Sequence, residues 1–206
     1  MSIAVREQSL FGDFGPRQPR LPSFPPGFRY QLGFLTSQEE GELIAGIGTL
    51  ELRNSQYHEY TARRRTAGFG LRWSYDTASL HEAPPAPEFL TEFTEKVAEF
   101  LCLDPRLFPH VLVTEYPPGA PIGWHRDAPP FAVICGVSLG SACNFRLRPF
   151  EPHLQTKEAT INIPVQPRSI YVMQGESRSR WQHSITPVKD TRWSITLRSL
   201  NRLPCR

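Results

Sequence analysis

A chain of 206 residues, 39% of them apolar, can bury one core without a disulfide or a structural metal, so a single domain is expected. The net charge is only +3, but nearly all of the 23 basic residues are arginine, the lysines being Lys96, Lys157 and Lys189. That bias suits planar pairing with phosphate or carboxylate, or reflects codon usage alone. Cys102, Cys135, Cys143 and Cys205 form no C-x-x-C pair, the N-terminus lacks a continuous apolar leader, and no eighteen uncharged apolar residues follow one another. These absences argue against a disulfide scaffold and a spanning helix, and predict free thiols in a cytoplasmic, non-membrane protein.

Residues 1–26 carry Pro16, Pro19, Pro22, Pro25 and Pro26 among glycine and polar residues, the composition of an extended arm, and residues 27–206 are expected to form the domain. Ser37 with Glu40 predicts a capping box opening a helix, with Leu43, Ile44 and Ile47 on its apolar side and Gly48 at its end. From Gln56 to Asp76 the chain is aromatic and basic, with Tyr57, Tyr60, Phe69, Trp73 and Tyr75 around Arg63, Arg64 and Arg65, and Gly68 and Gly70 predict a bent hairpin. A second helix is predicted from Pro87 to Leu101, since Phe89, Phe93, Val97 and Phe100 recur three or four apart behind a first-turn proline.

Beyond residue 109 short strands replace helical spacing: HVLVTEY at 110, FAVICGVSL at 131, CNFRLR at 143, ATINIP at 159, SIYVMQ at 169 and RWSITLRSL at 192. Turn chemistry such as Pro117-Pro118-Gly119 separates them. The expected class is mainly β with flanking helices (α+β), arranged as a jelly roll or another double-sheet fold.

His125-Arg126-Asp127 places two metal-ligand types at i and i+2, which on an extended strand point to one side. A further histidine, His183, lies far enough along for intervening strands to return it to the first two. Two histidines and one carboxylate on one face leave coordination positions open, as in a non-haem Fe(II) oxygenase, although zinc hydrolysis uses similar ligands. Along RWSITLR, Arg192, Ser194, Thr196 and Arg198 share one face while Trp193, Ile195 and Leu197 take the other. In water that is an ordinary amphipathic strand; facing inward, two guanidiniums would need an anion such as a dicarboxylate.

Together, His125-x-Asp127, His183 and the row Arg192 to Arg198 resemble the AlkB family of nucleic-acid demethylases. PPGFRYQLGFLTSQEEGELI is similar to that family's opening strand and helix, and RRRTAGFGLRWSY to its nucleotide-recognition lid. The resemblance implies a double-stranded β-helix holding Fe(II) through His125, Asp127 and His183, with 2-oxoglutarate and O2 as cosubstrates. It implies Arg192, helped by Tyr116, against the far carboxylate of 2-oxoglutarate, with Arg198 near the other and Thr114 and Ser194 as hydroxyl donors where the best-known member has asparagines. Pro129 stands where that member has a second acidic residue, so base preference does not carry over.

The implied substrate is an N-alkylated base of DNA or RNA, single-stranded or flipped out, and the protein is expected to be a monomer. Phe69, Trp73 and Trp124 are candidates to contact the base, and Arg63, Arg64 and Arg65 to hold phosphates; packing of the aromatics on the barrel and a solvated basic turn are the alternatives. Two further functions stay open. One is a 2-oxoglutarate oxygenase acting on a tRNA base, a protein side chain or a small molecule, and the other a β-domain that only binds nucleic acid.

Overall fold

In a computed structural model, residues 23–57 and 60–201 are described. Most of the proline-rich arm and Cys205 lie outside them. Along the chain run β1 (Phe28–Gln31), α1 (Ser37–Gly48), β2 (Arg53–Tyr57), β3 (Tyr60–Ser74), β4 (Ser79–Glu82), α2 (Glu88–Leu101), β5 (His110–Tyr116) and β6 (Ile122–His125). β7 (Phe131–Leu139), β8 (Cys143–Pro149), β9 (Ile161–Val165), β10 (Ser169–Met173), α3 (Gly175–Ser179), β11 (Trp181–Ile185) and β12 (Arg192–Leu200) complete it. The larger sheet has the order β1-β10-β7-β12-β5-β3-β2, with β4 on β3, and the smaller has the order β6-β11-β8-β9.

Two apolar layers follow from alternation along these strands. Val111 and Val113 of β5, Val137 and Leu139 of β7, and Ile195 and Leu197 of β12 pack under Leu43 and Ile47 of α1 and Leu90, Phe93 and Val97 of α2. The opposite faces meet the smaller sheet, where Tyr116, Ile134 and Tyr171 join Phe145, Leu147, Ile163 and Ile185. Burying Val, Ile and aromatic side chains on both faces is what a double-sheet fold requires. The jelly-roll expectation therefore holds, with α1 and α2 covering the outer face of the larger sheet and the short α3 lying by the smaller one. Among the described residues no helix is long and apolar enough to cross a membrane.

Local expectations shift in three places. The capping box of α1 is Thr36 with Glu39, one residue earlier than Ser37 with Glu40, because Thr36 is the last extended residue and its hydroxyl accepts from the Glu39 amide. Glu40 instead accepts from the Gly140 amide and Arg168. The basic, aromatic segment is not one bent hairpin. It is mostly the fifteen-residue β3, which pairs β2 at one end, β5 through Arg65–Gly70 and β4 at the other. The bend falls at Gly70, whose φ is +75° and where a Cβ would stand 2.1 Å from the Pro109 carbonyl oxygen. Finally, β6 and β11 are strands that sequence patterning left unassigned. Each is short, and β6 contains a glycine and β11 three polar residues.

Candidate active site

β6 and β11 are antiparallel neighbours with His125 directly opposite His183, and the two rings lie 4.1 Å apart between centroids. Phe145 stacks on His183 at 5.4 Å and fixes its plane. Asp127 sits two residues past the end of β6, so a loop rather than a continuing strand turns it to the histidines. Its Oδ2 lies 3.7 Å from His183 Nε2. The loop is held by Arg178 Nη2, which donates to the carbonyl oxygens of Asp127 (3.1 Å) and Ala128 (2.6 Å). The His125 Nδ1 is 2.8 Å from the Gly123 carbonyl oxygen, which places its proton there and leaves Nε2 as a lone-pair donor.

Electrostatics keep these groups in ligand form. Burial pushes the His183 imidazole down to about 3 and shifts His125 the same way, so both rings are neutral at neutral pH. Burial alone would raise the Asp127 carboxyl, but Arg198 and the two histidines hold it well below the usual range. Arg198 Nε donates to Asp127 Oδ1 at 2.7 Å, whereas Asp127 Oδ2 is buried with no hydrogen-bond partner among the described residues. No three His, Cys, Asp or Glu side chains among those residues form a closed metal cage. Two neutral imidazoles and an orphaned carboxylate oxygen fit Fe(II), which accepts N,N,O donors with open positions.

A second unsatisfied group lies deeper. Arg192 is 0% exposed; its Nε donates to Ser138 Oγ at 2.9 Å, and Nη1 and Nη2 have no partner among the described residues. The Tyr116 ring is 5.0 Å from its Cζ. A buried guanidinium with two free nitrogens demands an anion, and its fork matches a carboxylate. Tyr116, Thr114 and Ser194 line the adjoining cavity, as do Thr196 and Tyr171. The four polar residues of β12 do share one face, yet Arg198 is committed to Asp127 and approaches His110 Nδ1 at 3.3 Å. Arg198 therefore stands beside Asp127, one of the expected metal ligands.

The cavity lined by His125, Asp127, His183 and Arg198 measures about 1440 Å³ and is walled on one side by Arg64, Arg72, Trp73 and Tyr75 of the β3 segment; Arg192 is not part of its lining. Three expected contacts fall elsewhere. Phe69 turns to the helix-side core, since alternation along β3 sends it away from the cavity. Arg65 Nε donates to Glu115 Oε2 at 2.5 Å, and Arg63 leans on the carbonyls of Pro118 and Gly119, so of the basic triplet only Arg64 lines the site. Trp124 reaches the rim. His110, which no sequence spacing ties to the metal ligands, is 6% exposed, lines the cavity and neighbours Arg198.

Sequence reasoning also passed over Tyr171, Arg178 and Tyr75. A signal for Tyr171 existed: Gly136 interrupts an apolar strand, and a Cβ there would stand 2.1 Å from Tyr171 Cζ. A glycine inside a strand marks such close approach.

The double-sheet architecture recurs in solved structures. The solved structure titled "The structure of OsALKBH1" superposes with a TM-score of 0.65 at 16% identity, over 87% of this chain and 99% of that one. Residues 34–203 match the model of the 2OG-Fe(II) oxygenase superfamily, and the chain belongs to that family. "tRNA (carboxymethyluridine(34)-5-O)-methyltransferase ALKBH8" of Mus musculus is 27% identical over 90% of this chain and 32% of its own length. "Probable RNA/DNA demethylase ALKBH6" of Danio rerio is 27% identical over 80% of this chain and 71% of that protein. The chain thus spans about a third of the mouse relative.

Proposed function

We propose that this chain is an Fe(II)- and 2-oxoglutarate-dependent dioxygenase that oxidatively demethylates N-alkylated bases in RNA or DNA. The observation that carries the reading is the cavity: at about 1440 Å³ it exceeds the roughly 300–1,000 Å³ of ordinary small-ligand sites. It combines the His125, Asp127 and His183 donors with a wall of Trp73, Tyr75, Arg64 and Arg72, so there is room for a dicarboxylate and a base together. The zebrafish relative's name, an RNA/DNA demethylase, agrees.

His125 Nε2, Asp127 Oδ2 and His183 Nε2 would hold Fe(II). With 2-oxoglutarate and O2 bound, that ion supplies oxidation of an N-methyl C–H bond, the cosubstrate leaving as succinate and CO2. Arg192 would clamp the far carboxylate with Nη1 and Nη2, with Tyr116, Thr114 and Ser194 around it. Arg198 keeps Asp127 ionised and fixes which of its oxygens is free. The aromatic pair Trp73 and Tyr75, 6.5 Å apart and edge to face, would stack a flipped base, while Arg64 and Arg72 meet its phosphates. The hydroxymethylated nitrogen then releases formaldehyde and the repaired base.

A second reading is oxidation of a modified tRNA base without loss of a methyl group. The mouse relative is named for action on tRNA. Pro129, at the cavity edge, offers a base no carboxylate, and its carbonyl accepts from Asn201 Nδ2. Incubation with N-methylated oligonucleotides, Fe(II) and 2-oxoglutarate decides: formaldehyde and a matching mass loss are expected. Succinate formation without mass loss on any N-methylated base would favour the second reading, and no Fe(II)-dependent succinate would overturn both.

A further inference from the structure

Some arginines of this protein pair with carboxylates and others, Arg63 and Arg192 of the larger sheet among them, do not. Arg53, Arg65, Arg106 and Arg168, on the larger sheet and its loops, each pair with a carboxylate. Arg126, Arg146, Arg148 and Arg178, at the smaller-sheet end, have no acidic partner among the described residues. Their guanidiniums donate to neutral oxygens: Ser179 O, Ser184 Oγ, Gln182 Oε1, and the backbone of Asp127 and Ala128.

Strand alternation explains the clustering of two of them. Phe145 and Leu147 of β8 enter the core, so Arg146 and Arg148 take the outer face, where they pair in register with Ser184 and Gln182 of β11. Trp124, on neighbouring β6, lies 4.7 Å from the Arg146 Cζ and 4.4 Å from that of Arg148. Arg126 rests on Phe150 at 3.5 Å. Each Nε of Arg146 and Arg148 is tied and each guanidinium is braced by an aromatic plate, so the terminal nitrogens are preorganised donors. Two cations sharing one indole repel each other unless an anion lies between them.

Trp124, Arg126 and Gln182 also line the cavity rim, so this outer face is continuous with the site. We infer that the outer face of the smaller sheet, centred on Arg146 and Arg148, is a track for the sugar–phosphate backbone of nucleotides flanking the base in the cavity. The inference rests on the nucleic-acid reading above. Rigid guanidiniums without carboxylate partners match phosphate in charge and fork geometry, and contacts of this kind position the chain without reading sequence.

The test compares the full-length protein with the double variants Arg146→Gln/Arg148→Gln and Arg146→Lys/Arg148→Lys. Binding of a methylated single-stranded 15-mer and of a methylated trinucleotide is measured by fluorescence anisotropy at several salt concentrations. The Gln variant should bind the 15-mer about tenfold or more weakly, with the slope of log affinity against log salt reduced by about 0.7 for each phosphate that is no longer neutralised. Trinucleotide binding and 2-oxoglutarate turnover should stay near wild type, and the Lys variant should keep most of the slope. Unchanged 15-mer affinity and slope in the Gln variant would overturn the track while leaving the nucleic-acid reading intact. Equal losses in the Lys and Gln variants would also overturn it, by assigning the arginines a packing role. Failure of the wild type to bind any oligonucleotide would remove the underlying reading.

Discussion

His125 and His183 face one another across the β6–β11 ladder with ring centroids 4.1 Å apart, so two imidazoles distant in sequence are delivered to one point by strand register. Each has its own brace, the Gly123 carbonyl for His125 and the Phe145 ring for His183. Replacing either with alanine is expected to reduce Fe(II)-dependent succinate formation to background with the fold retained. Turnover assays and circular dichroism check this. Full turnover in His183→Ala would mean that the metal is held elsewhere.

Arg192 predicts opposite effects on stability and on cosubstrate use. A guanidinium buried without an anion costs stability, and replacing a buried charge by an apolar residue of similar size is often stabilising by about 1–4 kcal/mol. Arg192→Met should therefore melt at or above the wild-type temperature without cosubstrate. Addition of 2-oxoglutarate should raise the melting temperature of the wild type only. The KM for 2-oxoglutarate should rise tenfold or more, in line with about 1.5–3 kcal/mol for hydrogen bonds to charged groups. Calorimetry with and without the cosubstrate separates the two effects.

Tyr171 occupies space that only a glycine at 136 leaves open. Gly136→Ala should destabilise by about 1–3 kcal/mol through overpacking and should weaken 2-oxoglutarate binding as the ring is displaced. Adding Tyr171→Leu should restore most of the stability, because the clash disappears; chemical denaturation of the single and double variants measures the coupling. Strict additivity of the two changes would contradict this packing relation.

Acid sensitivity follows from His110. Burial, reinforced by Arg198, holds its imidazole down to about 3 in the folded protein, against an ordinary value near 6.5. The unfolded chain therefore takes up a proton below pH 6.5 that the folded protein refuses until about 3. The stability linked to this group is complete above 6.5 and declines as the pH falls through that window. His110→Asn should flatten part of the melting-temperature slope between pH 6.5 and 3. An unchanged slope would remove His110 from the linkage.

Arg198 and Asp127 form the buried pair on which the free ligand oxygen depends. Arg198→Ala strands a buried carboxylate, which should cost about 3–5 kcal/mol and raise the Asp127 pKa. Metal affinity at neutral pH should fall with it, since protonation competes for Oδ2. Metal titrations at two pH values would show a loss that lessens as the pH rises; a pH-independent loss would argue against this role.

Much of this was legible in the residues themselves. Alternation fixed the bounds of β5, β7 and β12, because a strand between two packed layers must present apolar side chains to each. It also showed that Arg192, Ser194, Thr196 and Arg198 share a face. The types and spacing of His125, Asp127 and His183 marked them as candidates for one site, and the fold brings them together. What alternation cannot supply is the neighbour across the ladder. Tertiary structure alone decided that Arg65 meets Glu115, that Arg198 meets Asp127, that Phe69 turns to the helices, and that Tyr171 fills the gap left by Gly136. A strand's sequence sets the side to which each residue points, but its charges and volumes find partners only after non-local register brings other strands alongside.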